Sequence, residues 1–304
     1  MGDILKDKVA IVTGSGQGLG KAIAIALAKE GAKIVTNNRR PGSSGGDAET
    51  VAKEIIEMGG QAVPFFGDVS NFGEAEQMIQ TAADKFGRLD ILVNNAGADS
   101  ARMVWNMTEE EWDKVIASYL KSSFNCIKFA ARLMREQRSG RIINTTSVAW
   151  LGQPGHANYC AAKAGIVGLT RACAQELGRY GVTCNAYAPT AATRFTLSEE
   201  TVAGFKKRYE SGLITKERFD ILMNLPSPDT VCPFIIYLCS DAGANVNGQV
   251  FDTTGGEISH YSNPIKEKVI HKDEGLWTVE ELTEQVPKVL LEGYQNPAPA
   301  EPAK

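Results

Sequence analysis

The stretch Lys8–Gly20, which reads KVAIVTGSGQGLG, joins an apolar run to a glycine-rich turn and then to a helical pattern. The run Lys8–Thr13 has the length and β-branched content of a buried strand, and the apolar spacing over Gly18–Glu30 predicts a helix. Glycines let the backbone approach a pyrophosphate, and the unpaired N–H groups at a helix start favour its negative charge. The pattern is T-G-x-x-x-G-x-G, not the G-x-G-x-x-G fingerprint, and a turn of purely structural use is the alternative. The residues that we assign here to a dinucleotide are Thr13, Gly14, Gln17, Gly18, Leu19 and Gly20.

The alternation of strand and helix continues along the chain. Six further apolar runs are predicted strands: Lys33–Asn37, Gln61–Phe66, Ile91–Asn94, Arg141–Thr145, Val182–Ala188 and Gln249–Asp252. The amphipathic stretches between them are predicted helices: Asp47–Met58, Glu74–Phe86, Glu109–Leu120, Ser123–Arg138, Ala157–Tyr180 and Val231–Ser240. The pattern predicts an α/β fold, a doubly wound, mostly parallel seven-stranded sheet that binds ligands at the carboxyl ends of its strands.

The length of 304 residues fits one large domain, or at most two small ones. We predict a single domain over residues 1–260, in which the polar, mostly helical insertion 194–228 forms a lid over the substrate. A C-terminal extension follows over residues 261–304. Its Pro- and Ala-rich end, NPAPAEPAK, is expected to be disordered.

Charge and composition argue against several classes of protein. The net charge of −4 gives no broad basic field, so neither a nucleic acid nor an anionic membrane is favoured as partner. No run approaches the ~18 apolar residues of a membrane span, and the first residues show no cleavage-like site, so we expect a cytoplasmic protein. The six cysteines lack metal-ligand spacing, which indicates reduced, buried thiols, and the three scattered histidines predict no metal site.

The second predicted strand ends in the sequence N-N-R-R over residues 37–40. In dinucleotide-binding folds an acidic residue at this point accepts hydrogen bonds from the adenosine ribose. Asn38 stands in its place and Arg39 follows, so a negative charge is removed and positive charge is added. This pattern favours a 2′-phosphate, and therefore NADP(H) over NAD(H), with Asn38 and Arg39 assigned to the cofactor. An exposed loop without phosphate contact is the alternative.

Two further motifs follow predicted strands. Asp68 and Val69 come after the third strand, where the Asp68 carboxylate would accept a hydrogen bond from the adenine amino group; an N-cap for the next helix is the alternative. The sequence N-N-A-G over residues 94–97 follows the fourth strand. Adjacent asparagines followed by small residues indicate a backbone held close to a ligand, although a plain turn uses the same residues. The residues assigned to the cofactor are Asp68, Val69, Asn95, Ala96 and Gly97.

Ser147, Tyr159 and Lys163 carry the predicted chemistry. On a helix, positions i and i+4 share a face, so Tyr159 and Lys163 point to the same side. A free phenol has a pKa of ~10, and a nearby lysine ammonium favours the phenolate and lowers that pKa toward the range where a phenol exchanges protons. Ser147, just past the fifth strand, would hydrogen-bond the substrate oxygen. Tyr-x-x-x-Lys alone is common by chance, and its conjunction with the strand-end motifs makes it specific.

In this order and spacing, the motifs resemble the short-chain dehydrogenase/reductase family over about residues 6–256. The resemblance implies a single Rossmann-fold domain, hydride transfer to or from nicotinamide C4, and homodimers or homotetramers built from the long helices. It also implies cofactor contacts from Tyr159, Lys163, Pro189 and Thr190. The segments 185–194 and 228–239 are similar to the hydroxyacyl-CoA and 17β-hydroxysteroid dehydrogenase branch, which includes the dehydrogenase part of peroxisomal multifunctional enzymes.

Three positions depart from the family pattern. Tyr119 stands where the family usually has an asparagine that holds a proton-relay water, and the resembling branch also tends to lack it. Ser147 lies 12 positions before Tyr159, one fewer than usual. Thr146 would restore the spacing, but the match of the preceding strand favours Ser147. Thr190 replaces a glycine expected near the nicotinamide carboxamide.

The sequence therefore predicts an NAD(P)-dependent alcohol–ketone oxidoreductase with Tyr159 as its acid/base. The length of the insertion favours a bulky or thioester-linked small-molecule substrate, first a 3-hydroxyacyl-CoA-type compound and second a steroid-like or other cyclic alcohol. The competing class is a non-catalytic nucleotide-binding subunit of a larger dehydrogenase complex. Retention of Tyr159 and Lys163 argues against that class, since a scaffold needs neither residue.

Overall fold

A computed structural model describes residues 2–43, 45–98, 100–192 and 199–297 of the chain. The chain divides into two compact units, the first ending at Tyr261 and the second beginning at Ser262. All of the predicted site residues belong to the first unit.

A single sheet forms the centre of the first unit. Its strands in chain order are β1 (Val9–Val12), β2 (Lys33–Asn38), β3 (Gln61–Phe66), β4 (Ile91–Asn94), β5 (Gly140–Thr145), β6 (Val182–Thr190), β7 (Val250–Thr254) and β8 (Glu257–His260). Their spatial order is β3-β2-β1-β4-β5-β6-β7-β8, in which β1 to β7 run parallel and β8 runs antiparallel to β7. The order reverses between β1 and β4, which is where ligands bind in open parallel sheets.

Helices connect these strands and cover both faces of the sheet. They are α1 (Gly18–Lys29), α2 (Ala48–Glu57), α3 (Phe72–Phe86), α4 (Glu109–Ile116), α5 (Ser122–Gln137), α6 (Ala157–Leu177), α7 (Glu199–Glu210), α8 (Lys216–Met223) and α9 (Cys232–Cys239). A π-helical turn, Ala117–Lys121, joins α4 to α5. The two helices that the sequence predicts here are thus one continuous helical segment with a local change of pitch.

Alternate residues of the central strands pack into two cores. Ala10 and Val12 of β1 face one core, to which α1, α2 and α9 contribute. Val9 and Ile11 face the other, which receives side chains from α3, α5 and α6. Because successive strand residues point to opposite faces, a strand covered on both sides must be apolar throughout. This requirement explains why the sequence VAIV predicts a buried strand.

The structure confirms the seven predicted strands and adds an eighth that the sequence analysis missed. All four residues of β8 are exposed, and within the described ranges β8 pairs with β7 alone, at the edge of the sheet. Such an edge strand lacks the continuous apolar run by which the other strands are predicted. The prediction also ends β6 two residues early, because Pro189 and Thr190 still pair with β7.

The six cysteines agree with the prediction of reduced thiols. All are free, and every one except Cys160 is buried. Burial raises the pKa of Cys126, Cys232 and Cys239 to about 12, which keeps these thiols protonated and inert.

The predicted insertion 194–228 contains α7 and α8, and residues 193–198 lie outside the described part. The backbone N–H of Ala192 donates to the carbonyl oxygen of Pro226 at 2.7 Å, so the two ends of the insertion meet. In the second unit, α10 (Val279–Gln285) begins with a capping box between Thr278 and Glu281. Among the described residues, no helix combines the length and apolar character that crossing a membrane requires.

Candidate active site

The glycine-rich turn brings the start of α1 to the carboxyl end of β1. Gly14 has a φ of +65°, and a Cβ on it would lie 2.9 Å from the Cα of Ala96, so a larger residue would push the two loops apart. Gln17 occupies the N-cap position of α1 without making a side-chain cap, and the first turn contains no acidic residue. The helix start therefore keeps its N–H groups available for an anion, which fits a pyrophosphate.

Thr13 and Asn95 join the glycine turn to the N-N-A-G motif. The Thr13 hydroxyl oxygen accepts from the backbone N–H groups of Asn95 and Ala96 at 2.9 and 3.0 Å. The Asn95 amide donates back to the Thr13 carbonyl oxygen at 3.0 Å. The expectation that an asparagine fixes this turn is met, and the structure adds the threonine hydroxyl as its partner.

The end of β2 presents an amide and an arginine. The Oδ1 atom of Asn38 is buried and has no hydrogen-bond partner among the described residues, which fits a hydroxyl group supplied by a ligand. The Arg39 Nε lies 3.0 Å from a carboxylate oxygen of Asp68, and the Arg39 side chain remains 54% exposed. The arginine is thus held beside Asn38 with part of its guanidinium open to solvent.

Asp68 does not cap the following helix, contrary to one of the two interpretations of its position. Asn71 is the N-cap of α3 and accepts from Gly73 and Glu74. The Asp68 carboxylate instead accepts from the backbone N–H and hydroxyl of Ser70 at 2.9 and 2.7 Å. Val69 is buried.

The hydroxyl groups of Thr146 and Ser147 have different surroundings. Thr146 is 1% exposed, and its hydroxyl donates to the backbone carbonyl of Lys163 at 2.9 Å. Ser147 is half-buried and begins a short 3-10 turn, where its oxygen accepts from the N–H of Ala149 at 3.2 Å. The more accessible Ser147 hydroxyl is the better placed of the two to meet a substrate.

Tyr159 and Lys163 lie in the first turns of α6. Lys163 is only 2% exposed, and its ammonium donates to the backbone carbonyl of Thr145, at the end of β5, at 2.7 Å. The Lys163 Nζ is 5.4 Å from the centre of the Tyr159 ring. Tyr159 is half-buried. A buried cation beside a half-buried phenol is the arrangement expected of an acid/base pair.

A second tyrosine near this site, Tyr187 on β6, is excluded as a proton donor by its environment. It is fully buried, its hydroxyl lies 3.1 Å from that of Thr145, and burial raises the pKa of its phenol. It therefore stays protonated inside the core.

Tyr119 packs directly against the predicted catalytic pair. Its ring centre lies 4.1 Å from the Lys163 Nζ and 5.2 Å from the centre of the Tyr159 ring, with the two rings at 75°. In the sequence, Tyr119 is notable only as a departure from the family pattern, and nothing there predicts these contacts.

Two further residues near Tyr159 were missed. The fully buried Asn158 donates from its amide to the backbone carbonyls of Ser100 and Glu111 at 3.0 and 3.1 Å. The His156 ring lies 6.2 Å from that of Tyr159. The only sequence signal for either is its position beside Tyr159.

The segment after β4 forms the rim of the site. The N–H of Arg102 donates to the carbonyl of Gly155 at 2.8 Å, which ties this segment to the loop before α6. A short turn then exposes two apolar side chains, Val104 by 65% and Trp105 by 73%.

The insertion also reaches the loop before α6. The guanidinium of Arg208, on α7, lies 3.4 Å from the Nδ1 of His156. An open cleft of about 640 Å³ lies along α8 and the end of β7, and Thr254, Ile221 and Asn224 are among its lining residues. Tyr159 does not line this cleft.

The carboxyl ends of β1, β4, β5 and β6 are consecutive in the sheet, so the motifs that follow these strands lie along one edge. The predicted residues that follow them are Thr13, Asn95, Ser147 and, at the end of β6, Pro189 and Thr190. Pro189 and Thr190 are half-buried and pair with Thr253 and Thr254. Among the described residues, no group of three or more His, Cys, Asp or Glu side chains could hold a metal ion.

The chain resembles known proteins in both sequence and structure. The family model described as short chain dehydrogenase matches residues 8–201. A 3-oxoacyl-[acyl-carrier-protein] reductase from Synechocystis sp. is 41% identical over 259 residues, which are 84% of this chain and 98% of that protein. The hydroxyacyl-CoA dehydrogenase ChsB1 from Mycobacterium tuberculosis is 40% identical over 292 residues, 92% of this chain and 87% of that protein. The crystal structure of a short chain dehydrogenase from Mycobacterium avium superposes with a TM-score of 0.81 at 39% identity, covering 97% of both chains.

Proposed function

Since this chain belongs to the short-chain dehydrogenase family and is an oxidoreductase, we propose that it interconverts a 3-hydroxyacyl thioester and the corresponding 3-oxoacyl thioester with NADP(H). The observation that carries this proposal is the buried Lys163 ammonium beside the half-buried phenol of Tyr159.

Three side chains of the site handle the substrate oxygen and its proton. Tyr159 removes the hydroxyl proton in the oxidation and returns it in the reduction. The positive charge of Lys163 stabilises the phenolate form of Tyr159, which brings the phenol closer to the pH at which proton transfer is efficient. Ser147 donates a hydrogen bond to the substrate oxygen and holds it against Tyr159. When bound, NADP(H) accepts or supplies the hydride.

The residues that would hold the cofactor are those predicted from the sequence. The uncapped start of α1 and the backbone of the glycine turn suit the pyrophosphate. Asp68 and Val69 suit the adenine. The loop of Asn95, Ala96 and Gly97 suits the second ribose of the dinucleotide. The orphaned Asn38 oxygen suits an adenosine ribose hydroxyl. Arg39, which Asp68 holds beside it, would bind a 2′-phosphate through its exposed N–H groups and so favour NADP(H).

A thioester substrate is supported by the two curated relatives, which are named for an acyl carrier protein and for coenzyme A. The match to the CoA-linked relative covers 92% of this chain, against 84% for the carrier-protein reductase, which the chain covers almost completely. The CoA-linked relative thus shares more of the sequence beyond the common domain. The exposed Val104 and Trp105 at the rim suit an acyl chain. The basic run 206–208 on α7 suits the phosphates of the carrier arm, with the insertion 194–228 acting as a lid.

Turnover tests the proposal directly. Purified protein is mixed with NADPH or NADH and a panel of 3-oxoacyl-CoA esters and cyclic ketones, and cofactor oxidation is followed by absorbance. We expect turnover of the acyl-CoA esters that falls by about 10²–10⁴-fold in Tyr159→Phe, the usual contribution of a general acid. Cofactor binding without turnover of any substrate, unaffected by Tyr159→Phe, would instead support the nucleotide-binding subunit.

The cofactor preference has its own test in Arg39→Ala, with the neighbouring Arg40→Ala as the matched control. A charge-assisted hydrogen bond contributes about 1.5–3 kcal/mol, which corresponds to an increase of roughly 10–150-fold in the KM for NADPH. The KM for NADH should change little in either variant. An unchanged ratio of the two KM values in Arg39→Ala would show that Arg39 does not select the cofactor.

We also propose a homodimer or homotetramer that uses α5 and α6. Phe124 on α5 is 47% exposed, and the small residues Ala164, Gly168 and Ala172 lie exposed along α6. Such a surface allows close helix packing against a second copy. Light scattering coupled to size exclusion should give a mass at least twice that of the chain, and Phe124→Glu should lower it.

A further inference from the structure

We infer that Tyr119 is a positioning residue for the catalytic pair, whose aromatic ring holds the Lys163 ammonium and packs against the Tyr159 ring. The inference rests on the proposed function, because it concerns the same acid/base site. The family pattern has an asparagine at this position, which holds a water. In this chain the position acts through an aromatic ring in direct contact with both residues.

The backbone around Tyr119 departs from regular α-helical geometry. Tyr119 lies in the middle of the π-helical turn Ala117–Lys121, and single π turns inside helices occur frequently at functional sites. The hydroxyls of Ser122 and Ser123 donate to the Tyr119 carbonyl oxygen at 3.1 and 2.7 Å. This carbonyl is therefore engaged by side chains of its own helix, and the ring is the part of Tyr119 that faces the catalytic pair.

The contact between Tyr119 and Lys163 is close and shielded from water. The ammonium lies 4.1 Å from the ring centre, well inside the ~6 Å range of a cation–π interaction. It lies farther from the ring centre of Tyr159, at 5.4 Å. Lys163 is 2% exposed, so the attraction is only weakly screened by solvent. The Thr145 carbonyl and the Tyr119 ring together fix the position of the ammonium.

Gly97 confines the Tyr119 ring on its other side. A Cβ added to Gly97 would overlap the Cε1 atom of Tyr119, so the ring occupies the space that the missing side chain leaves. The ring is thereby held between the N-N-A-G loop and Lys163. A residue in such a position cannot move away without releasing the ammonium.

The test compares three replacements of Tyr119. Tyr119→Phe keeps the ring and removes the hydroxyl. Tyr119→Leu removes the ring and keeps an apolar side chain. Tyr119→Met also removes the ring, and its more flexible side chain provides a second variant in case the leucine variant does not fold. Thermal unfolding of each variant is measured first, so that a general loss of stability is recognised.

The first readout is the ionisation of Tyr159 in the cofactor-free protein. Phenolate absorbance is titrated in each variant with and without Tyr159→Phe, and the difference isolates Tyr159 from the other tyrosines. Charged and titratable groups near Tyr159 include Lys163, His156 and Tyr119, and the Arg208 guanidinium lies beside His156. We expect the pKa of Tyr159 to rise by about one unit in the leucine and methionine variants, because the ammonium is no longer held beside it, and to stay unchanged in Tyr119→Phe.

The second readout is the pH dependence of kcat. Loss of the ring should lower kcat about tenfold at neutral pH and shift the profile in the same direction as the titration, while Tyr119→Phe should stay within about twofold of wild type. The inference is overturned if the leucine and methionine variants titrate like wild type, or if phenylalanine fails to rescue them. Absence of turnover in the wild type would refute the proposed function alone, since the titration of Tyr159 still decides the role of Tyr119.

Discussion

Replacing Asn158 should lower stability and activity together, because this residue fastens the start of α6 to two other segments. Its amide donates to the carbonyls of Ser100 and Glu111, and its oxygen accepts from the N–H of Tyr159 at 2.8 Å. Each such bond contributes about 0.5–1.5 kcal/mol, so the three bonds together contribute about 1.5–4.5 kcal/mol. Asn158→Ala should therefore lower the free energy of unfolding by about 3 kcal/mol.

That loss corresponds to a decrease in Tm of roughly 6–12 °C for a domain of this size. Activity should fall further than stability alone explains, since a displaced catalytic group commonly costs an enzyme a large part of its rate; we expect kcat to fall at least about tenfold. Asn158→Asp should be worse than alanine, because it points an oxygen instead of an N–H at two carbonyl oxygens.

Asn247, in the loop before β7, provides a matched control because it hydrogen-bonds to the other end of α6. Its amide donates to the carbonyl of Ala174 at 3.0 Å and its oxygen accepts from the N–H of Cys184 at 2.8 Å, near the end of α6 that lies away from Tyr159. Asn247→Ala should lower Tm comparably and leave kcat unchanged. Unfolding followed by circular dichroism and steady-state kinetics measure the two quantities. If Asn158→Ala reduces kcat no more than Asn247→Ala, Asn158 does not orient Tyr159.

Three further perturbations address other parts of the site. Thr13→Val removes the hydroxyl that accepts from the N–H groups of Asn95 and Ala96. The Kd for NADPH, measured by fluorescence, should rise about tenfold. An unchanged Kd would mean that these two hydrogen bonds are not needed for cofactor binding. Gly97→Ala should lower both Tm and kcat, because the added methyl group meets the Tyr119 ring. The double variant Gly97→Ala/Tyr119→Asn should recover part of the lost Tm. If the Tm changes of the two single variants simply add in the double variant, the two residues are not coupled. Hydrogen bonds from the backbone of Thr50 and Gly42 lower the pKa of Asp47 in the folded protein. The Asp47 carboxylate therefore stabilises the fold at a pH above the ordinary carboxyl pKa of ~3.9. This stabilisation is lost as the pH falls through the lower pKa of the folded state. The urea midpoint of Asp47→Asn should therefore lie below that of wild type at neutral pH and approach it in acid. A difference between the two midpoints that does not change with pH would contradict the lowered pKa of Asp47.

The ion pair between Arg39 and Asp68 links two cofactor predictions that the sequence treats separately. Asp68 was assigned to the adenine and Arg39 to a 2′-phosphate, and the structure places their charged groups 3.0 Å apart. Because the pair is partly exposed to solvent, it adds little to stability. Its effect is to orient Arg39 beside Asn38, so that a change at Asp68 should alter the same cofactor preference as a change at Arg39.

The sequence alone determined the succession of seven strands and their helices along the chain, and the local placement of the predicted chemistry. Buried strands must be apolar on both faces, so the run VAIV identifies β1 without reference to any other segment. A helix brings positions i and i+4 together, so Tyr159 and Lys163 could be paired from their spacing. Parallel strands end at a common edge, which is why the motifs after β1, β4 and β5 could be assigned to one site.

Only the tertiary structure decided which side chains touch across that edge. Tyr119 and Lys163 are 44 positions apart, and no local period relates them, so their contact depends on how the π turn packs against α6. The choice between Thr146 and Ser147 likewise depends on burial, since neighbouring residues of a strand end face opposite ways. The edge strand β8 escaped prediction because an exposed strand is specified by its neighbour and carries no periodic pattern of its own. Patterns in sequence reflect burial along one element, whereas a site is built from contacts between elements.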